Sequence, residues 1–339
     1  MNERYSRQIL FSGIGKAGQE KLSTSRVLIV GCGALGAAHA ETLARAGVGF
    51  LRIVDRDFVE FSNLQRQTLF SETDAKEKLP KAIAAKTRLA QINSEIETEA
   101  IVADVNHSNI ESFIKDCNLI LDGTDNFQTR YLINDACVKA NKTWIYGAAV
   151  SSYGATMTIQ PKKTPCLRCI FEEMPNAGTS PTCDTAGVIQ PIIQMISAVQ
   201  TAEALKILTG NFDKLHKGLM QFDVWENDWR NIKLQTPNPD CKTCGQRNFE
   251  FLDADAQEFS AVLCGRNAVQ ISPPNRADLD LQALAAKLKT LGAVKQNEYL
   301  LRLTVGEYEL TIFKDARAII GGTDDVSTAR SVYAKYVGV

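Results

Sequence analysis

The stretch RVLIVGCGALG, Arg26 to Gly36, decides how this chain folds. Val27 to Val30 form an unbroken apolar run, which suits a strand buried on both faces because it offers no polar side to water. Gly31, Gly33 and Gly36 follow at once. AAHAETLARAGV (37–48) then repeats apolar residues at helical spacing and stops at Gly47, and FLRIVDRD (50–57) is a second apolar strand ending at Asp55 and Asp57. Strand, glycine loop, helix and strand predict a right-handed βαβ unit.

The same alternation continues outward. LPKAIAAKTRLAQIN (79–93) reads as helix, ETEAIVADV (97–105) as strand, IESFIKDC (110–117) as short helix, and NLILDGTDN (118–126) as a strand with a polar end. FQTRYLINDACVKAN (127–141) reads as helix, and TWIYGAAV (143–150) and GATMTIQP (154–161) as strands. The expected fold is α/β, a Rossmann-like, mostly parallel sheet with helices on both faces. GVIQPIIQMISAVQTAEALKILTG (187–210) predicts a long buried helix with Pro191 near its start and Gly210 past its end. Its Gln190, Gln194 and Gln200 read as a polar stripe. Beyond position 248 the texture changes. An amphipathic helix (278–292), a hairpin of YLLRLTV and YELTIF across Gly306-Glu307, and a closing helix (326–337) predict a small α+β domain over 249–339, apart from a main domain over 1–248.

Composition excludes several classes. A net charge of −1 with both signs interspersed gives no footprint for nucleic acid. The charged N-terminus carries no apolar signal core, and no apolar run spans a bilayer, so a cytoplasmic protein without membrane contact is expected. In a reducing compartment the nine cysteines point to metal binding or catalysis rather than disulfides.

The glycine loop lets backbone approach a phosphate, and the helix after it offers unpaired N–H groups and a positive dipole end. Asp55 lies about 20 residues beyond the loop, where a carboxylate accepts from ribose hydroxyls. The pattern does not say which nucleotide, and a nicotinamide-dependent oxidoreductase is the reading from another enzyme class. FSNLQRQTLF (61–70) argues for nucleotide cleavage. A triphosphate about to break needs positive charge, which Arg66 and Lys81 supply, while Asn63 and Gln67 donate neutral hydrogen bonds. Asp125, at the end of an apolar strand, either holds Mg²⁺ or serves as an Asx turn or N-cap of the next helix, and both readings stand.

CLRC (Cys166, Cys169) and CKTC (Cys241, Cys244) are two Cys-x-x-Cys knuckles, and four thiolates suit a closed, structural tetrahedral zinc site. Cys183, in the Gly/Ser/Pro/Thr-rich loop 176–188, is either a mobile nucleophile or an inert loop thiol. Cys32, Cys117 and Cys137 read as small core residues, and Cys264 in LCGRN as structural.

Taken together, RYSRQILF, GCGALG, VDRDFVEFSNLQRQ, the Pro80-Lys81 pair, DGTDN, both knuckles and TCDTAGV make the chain resemble the ubiquitin-activating-type (HesA/MoeB/ThiF) adenylyltransferases over about Arg4 to Gln246. The resemblance implies ATP-dependent adenylation of the Gly-Gly tail of a small ubiquitin-like sulfur-carrier protein, the molybdopterin carrier ahead of the thiazole one. It implies ATP, Mg²⁺ and structural Zn²⁺. The nucleotide would lie against Gly31, Gly33, Ala34, Gly36, Asp55, Asp57, Ser62, Asn63, Leu64, Gln65, Arg66, Gln67, Lys81, Asp125 and Asn126. Arg7 would reach the phosphates from the partner subunit of a homodimer, with Arg66, Lys81, Asp125 and Cys183 completing the reactive set. A cysteine desulfurase or sulfurtransferase would supply sulfur. Ala34 stands where a glycine is common in the family, and the 249–339 tail resembles an extension of some Gram-positive members.

Overall fold

The computed structural model describes residues 3–175, 183–234, 236–253, 259–263, 267–273 and 279–338; the side chains of 183, 184 and 259–263, and Cys264, lie outside this description. The chain divides into two compact units, Met1–Asp253 and Ala254–Val339. The division falls a few residues beyond 248 because Phe249, Phe251 and Leu252 pack against a core cluster of the first unit.

The first unit begins with helices α1 (Ser6–Leu10) and α2 (Gly15–Thr24), then β1 (Arg26–Val30), α3 (Ala34–Ala46) and β2 (Phe50–Asp55). Helices α4 (Glu72–Glu77) and α5 (Lys81–Ile92) lead to β3 (Glu97–Val102), α6 (Ile110–Ile114), β4 (Leu119–Asp122) and α7 (Phe127–Lys139). Then come β5 (Trp144–Val150), β6 (Tyr153–Ile159), the short helices α8 (Leu167–Ile170) and α9 (Cys183–Ala186), α10 (Gln190–Thr209), β7 (Gly218–Asp223) and β8 (Asp228–Lys233).

These strands form one eight-stranded sheet in the order β3-β2-β1-β4-β5-β6-β7-β8. The pairings from β3 through β5 are parallel, and those from β5 to β8 are antiparallel. Four of the seven pairings are thus parallel, and the antiparallel edge is a feature that the helix–strand alternation does not specify. Only Ser151 and Ser152 separate β5 from β6, which is too short for a crossover helix and long enough for a hairpin.

Strand alternation divides the core as the pleat requires. Val27 and Ile29 of β1 join α3, α5 and α10 residues such as Leu43, Leu89 and Ile207 on one face. Leu28 and Val30 join Ile110 of α6 and Ile133 of α7 on the other. The chain runs from β1 outward to β3 and returns to β4 on the opposite side of β1. Between the carboxyl ends of β1 and β4 lies the crevice where such sheets bind ligands.

Gln200 corrects the polar-stripe expectation for α10. It is fully buried, and its Nε2 donates to the carbonyls of Asp122 (3.2 Å) and Ile145 (3.3 Å). Its Oε1 lies 2.8 Å from Nε2 of His39 on α3, also fully buried. One amide thus ties two helices to two central strands. Gln190 is half-buried and Gln194 exposed, as a stripe requires.

The second unit has strands β9 (Phe259–Leu263), β10 (Ala268–Ser272), β11 (Ala293–Gln296), β12 (Leu300–Val305), β13 (Tyr308–Phe313) and β14 (Ala318–Gly321), with helices α11 (Leu281–Leu288) and α12 (Val326–Tyr336). The sheet order is β11-β12-β13-β14-β10-β9, antiparallel at every pairing. Leu281 and Leu288 of α11 and Val332 of α12 pack with Leu301, Leu310 and Ile320 in its core. Among the described residues of the whole chain, no helix is long and apolar enough to cross a membrane.

His39 gives the fold a pH dependence of defined sign. Burial pushes the imidazole down to about 4 from the ordinary 6.5, against the support of Gln200. Between those values the unfolded chain binds the proton and the native one does not, so stability present above pH 6.5 is lost as pH falls toward 4, by roughly 3 kcal/mol in all. Urea unfolding across that window should show a steeper acid loss for the native sequence than for His39→Gln.

Candidate functional site

The three loop glycines have three separate reasons to be glycine. Gly31 has φ +84, and its N–H donates to the Val54 carbonyl at 2.8 Å, which turns the chain sharply off β1. A Cβ on Gly36 would stand 1.9 Å from the Gly31 carbonyl oxygen, so α3 docks against the loop only with hydrogen there. A Cβ on Gly33 would meet nothing nearer than Gln67 Nε2 at 3.8 Å. Gly33 therefore leaves backbone open toward the crevice, the arrangement that admits a phosphate chain. Ala34 opens α3 and packs partly against Leu35 and Ile193 in a small apolar cluster.

The carboxylates after β2 converge on this loop. Asp55 is buried, and its Oδ2 accepts from the Cys32 N–H at 2.5 Å while Oδ1 accepts from the Asp57 N–H at 2.7 Å. Burial pushes the Asp55 carboxyl up and Asp57 adds to the push, while Lys81 pulls it down. Lys81, the first residue of α5, is only 4 % exposed. Its Nζ sits 3.3 Å from Asp57 Oδ2, and its N–H donates to the Asp57 carbonyl at 2.9 Å. A nearly sealed ammonium beside two acids at a glycine loop is costly as mere scaffolding. Burial also pushes the neighbouring Cys32 thiol up, which keeps it protonated and inert.

The 61–67 segment is a compact turn and not ordinary helix or strand. Asn63 Oδ1 accepts from the Glu60 N–H at 3.0 Å, closing a capping box over a single 3-10 turn, Phe61–Asn63. Leu64 packs on the core below. Arg66 donates from NH1 to the Ser62 carbonyl at 2.8 Å, so its own turn braces it, and Gln65 Nε2 reaches the Val188 carbonyl at 3.4 Å. Gln67 is buried, and its Oε1 has no hydrogen-bond partner among the described residues. An orphaned amide oxygen on the side chain whose Nε2 faces Gly33 is the kind of group a ligand satisfies.

At the end of β4 neither of the local structural duties falls to Asp125. Asn126 is the helix cap, its Oδ1 accepting from the Thr129 N–H at 2.9 Å. Asp122 makes the Asx turn, its Oδ1 accepting from the Thr124 N–H at 2.9 Å. Both local duties are taken, and Asp125 is left exposed at the crevice end of the strand with Asn126 Nδ2 3.5 Å from Oδ1. The ion pair beneath it was not anticipated: fully buried Asp122 holds Arg130 Nε at 3.1 Å. An aspartate closing an otherwise apolar strand, with an arginine one turn into the next helix, was the available signal.

Arg7 stands apart from the rest. It is exposed on α1, which docks at the far end of α3: Gln8 Nε2 donates to the Ala46 carbonyl at 2.8 Å, and Gln19 Nε2 to the same oxygen at 3.0 Å. The glycine loop is at the opposite end of that 13-residue helix, about 20 Å away at 1.5 Å per residue. Arg7 does not reach the site of its own chain.

The two knuckles come together. The sulfurs of Cys166, Cys169, Cys241 and Cys244 all lie within 4.8 Å of one another, with closest approaches of 3.3, 3.6 and 3.9 Å. A regular tetrahedron with 2.3 Å metal–sulfur bonds has edges of about 3.8 Å, close to these spacings. Thr243 Oγ1 donates to Asp135 Oδ1 at 2.8 Å and anchors the second knuckle to α7. The backbone at Cys183 begins α9. Cys117 and Cys137 are fully buried core residues, as their surroundings in the sequence suggested.

Comparison with known proteins gives the context. The sulfur carrier protein ThiS adenylyltransferase of Bacillus subtilis (strain 168) is 45% identical over 340 residues, covering 100% of both chains. The adenylyltransferase and sulfurtransferase MOCS3 of Culex quinquefasciatus is 39% identical over 259 residues, 76% of this chain and 59% of that protein. A solved structure of E. coli MccB with ATP superposes with a TM-score of 0.64 at 25% identity, covering 72% of this chain and 75% of the other. The ThiF family matches residues 5–243. On that match, and on the likeness to the Bacillus subtilis protein along its whole length, the chain belongs to the ThiF family.

Proposed function

We propose that this protein uses ATP to adenylate the C-terminal Gly-Gly carboxylate of a small ubiquitin-like sulfur-carrier protein. The carboxylate attacks the α-phosphorus, giving a carrier acyl-adenylate and pyrophosphate ahead of thiocarboxylate formation. The observation that carries this is the buried Lys81 ammonium, paired to Asp57 beside Asp55 at an open glycine loop. Charge held at the phosphates serves scission, whereas hydride transfer has no use for it. Family membership likewise weighs against the nicotinamide-dependent alternative.

Each residue has a role in this reading. Asp55, oriented by two N–H groups, accepts from the ribose hydroxyls. Gly31, Gly33, Ala34, Gly36 and the 62–67 turn surround the phosphates, with Arg66 and Lys81 offsetting charge on the departing pyrophosphate. The orphaned Oε1 of Gln67 accepts from a hydroxyl or amino group of the same nucleotide. Asp125, free of capping duty, would hold Mg²⁺, which neutralises phosphate oxygens when bound. Arg7, too far from its own loop, acts in the site of a partner subunit, so the working form is a homodimer. Cys183 is the candidate acceptor of carrier sulfur, with a cysteine desulfurase or sulfurtransferase as its source. The four knuckle thiolates hold structural Zn²⁺, and the protein works in the cytoplasm.

The full-length likeness to the ThiS adenylyltransferase favours the thiazole carrier over the molybdopterin carrier expected at first. That relative matches through 254–339, whereas the MOCS3 relative matches 76% of this chain. We assign the second unit no chemistry.

ATP–pyrophosphate exchange tests the reaction. Exchange should require a Gly-Gly carrier and be faster with the thiazole carrier than with the molybdopterin one; no exchange with either would remove the proposal. Lys81→Met and Arg66→Gln should each slow exchange by about 100-fold or more, the scale of a lost electrostatic donor, whereas Cys183→Ala should leave it nearly unchanged. Mixing Arg7→Ala with Asp125→Ala subunits should regain one working site per heterodimer, and failure to regain activity after confirmed subunit exchange would argue against catalysis in trans. Atomic absorption should find about one zinc per chain, lost in Cys241→Ser together with a lowered melting temperature.

A further inference from the structure

The loop that presents Asp125 has no apolar side chain to anchor it, yet it must hold its place against the glycine loop. A Cβ on Gly123 would lie 2.6 Å from the Gly31 carbonyl oxygen, so the two loops meet backbone to backbone and a small shift in one is felt by the other. Fixing this contact falls to the ion pair under the crevice.

Asp122 and Arg130 are 0 % and 5 % exposed. Asp122 Oδ1 accepts from both the Thr124 N–H (2.9 Å) and Thr124 Oγ1 (2.6 Å). Its Oδ2 accepts from Arg130 Nε (3.1 Å) and from the Gly147 N–H (3.4 Å). Arg130 NH2 donates to the Thr124 carbonyl at 2.7 Å and to the Gly147 carbonyl at 3.1 Å. Every polar group of Thr124, the residue before Asp125, is thereby bound by one pair of charges. On the other side Asn126 is committed to the α7 cap. The backbone on both flanks of Asp125 is fixed, and only its side chain retains freedom.

Stability alone does not account for such a pair. Removing two charges from water costs about what their attraction returns, and apolar residues of similar volume commonly serve as well. A planar guanidinium with a carboxylate fixes direction as well as distance, which an apolar contact does not.

We propose that Asp122 and Arg130 are positioning residues that set the Asp125 carboxylate against the phosphate-binding loop. The inference rests on the reading of Asp125 as the Mg²⁺-holding residue. Neither residue touches the nucleotide; both act through Thr124.

The test is a double-mutant cycle read by calorimetry, comparing ATP affinity with Mg²⁺ and with EDTA, so that no turnover is needed. Asp125→Ala should abolish most of the Mg²⁺-dependent gain in affinity, and Asp122→Asn should reduce it by about tenfold, the scale of coupling between contacting groups. The double variant should lose no more than Asp125→Ala alone. ATP affinity in EDTA should change less than twofold throughout. Because Asp122→Asn leaves a buried guanidinium unpaired, Thr124→Val serves as the gentler probe. It should lose part of the Mg²⁺-dependent gain with an unchanged melting temperature, and Thr124→Ser should restore it. Fully additive losses in the cycle, or a Thr124→Val protein that matches the native sequence in both conditions, would overturn the positioning role while leaving Asp125 in place. An Asp125→Ala protein with its Mg²⁺ dependence intact would overturn the assignment of Asp125 itself, and the positioning role with it.

Discussion

The backbone contact between the ends of β1 and β4 is the constraint on which the site depends. Gly31, Gly36 and Gly123 meet so closely that a methyl group at any of them would overlap a neighbour's backbone. That contact exists because the sheet places β1 between β2 and β4, so two loops leave adjacent strands in the same direction at the point where the connections diverge. The crevice follows from topology, and the glycines let its walls come near enough to grip a phosphate chain.

Two kinds of force then hold the walls. Apolar packing on both faces of the sheet fixes the strands and helices to within side-chain tolerance. The polar brace supplies what packing cannot: Gln200 ties α3, through His39, to the carbonyls of β4 and β5, and the Asp122–Arg130 pair fixes the turn above. Both networks are buried, and Gln200, Asp122 and Arg130 are each held by hydrogen bonds from more than one element, while His39 is held through Gln200 alone. Such groups are costly to bury unless satisfied, and when satisfied they define a single arrangement.

The cationic side chains are distributed differently. Lys81 is sealed against Asp57, Arg66 is braced by its own turn, and Arg7 lies at the far end of α3. One of these cations is buried, one is half-buried and one is remote, and this spread is the physical ground on which we propose that catalysis takes place in a dimer. Three antiparallel pairings complete the sheet. Strand β7 runs parallel to β5, so its carboxyl end lies at the same edge of the sheet as those of β1 and β4.

What the sequence determined by itself was local and periodic. The strand at 27–30, the glycine turn after it and the pairing of cysteines within each knuckle are legible within a few residues, because turn geometry, strand burial and cysteine spacing are short-range requirements. The tertiary structure decided what depends on residues far apart in the chain. It made Gln200 a central strut instead of a surface stripe, and it freed Asp125 by giving the cap to Asn126 and the Asx turn to Asp122. It made the pairings from β5 to β8 antiparallel, and it set Arg7 away from its own loop. Hydrogen bonds between elements and strand order are settled only when the whole sheet closes, since each depends on which distant segment arrives beside it.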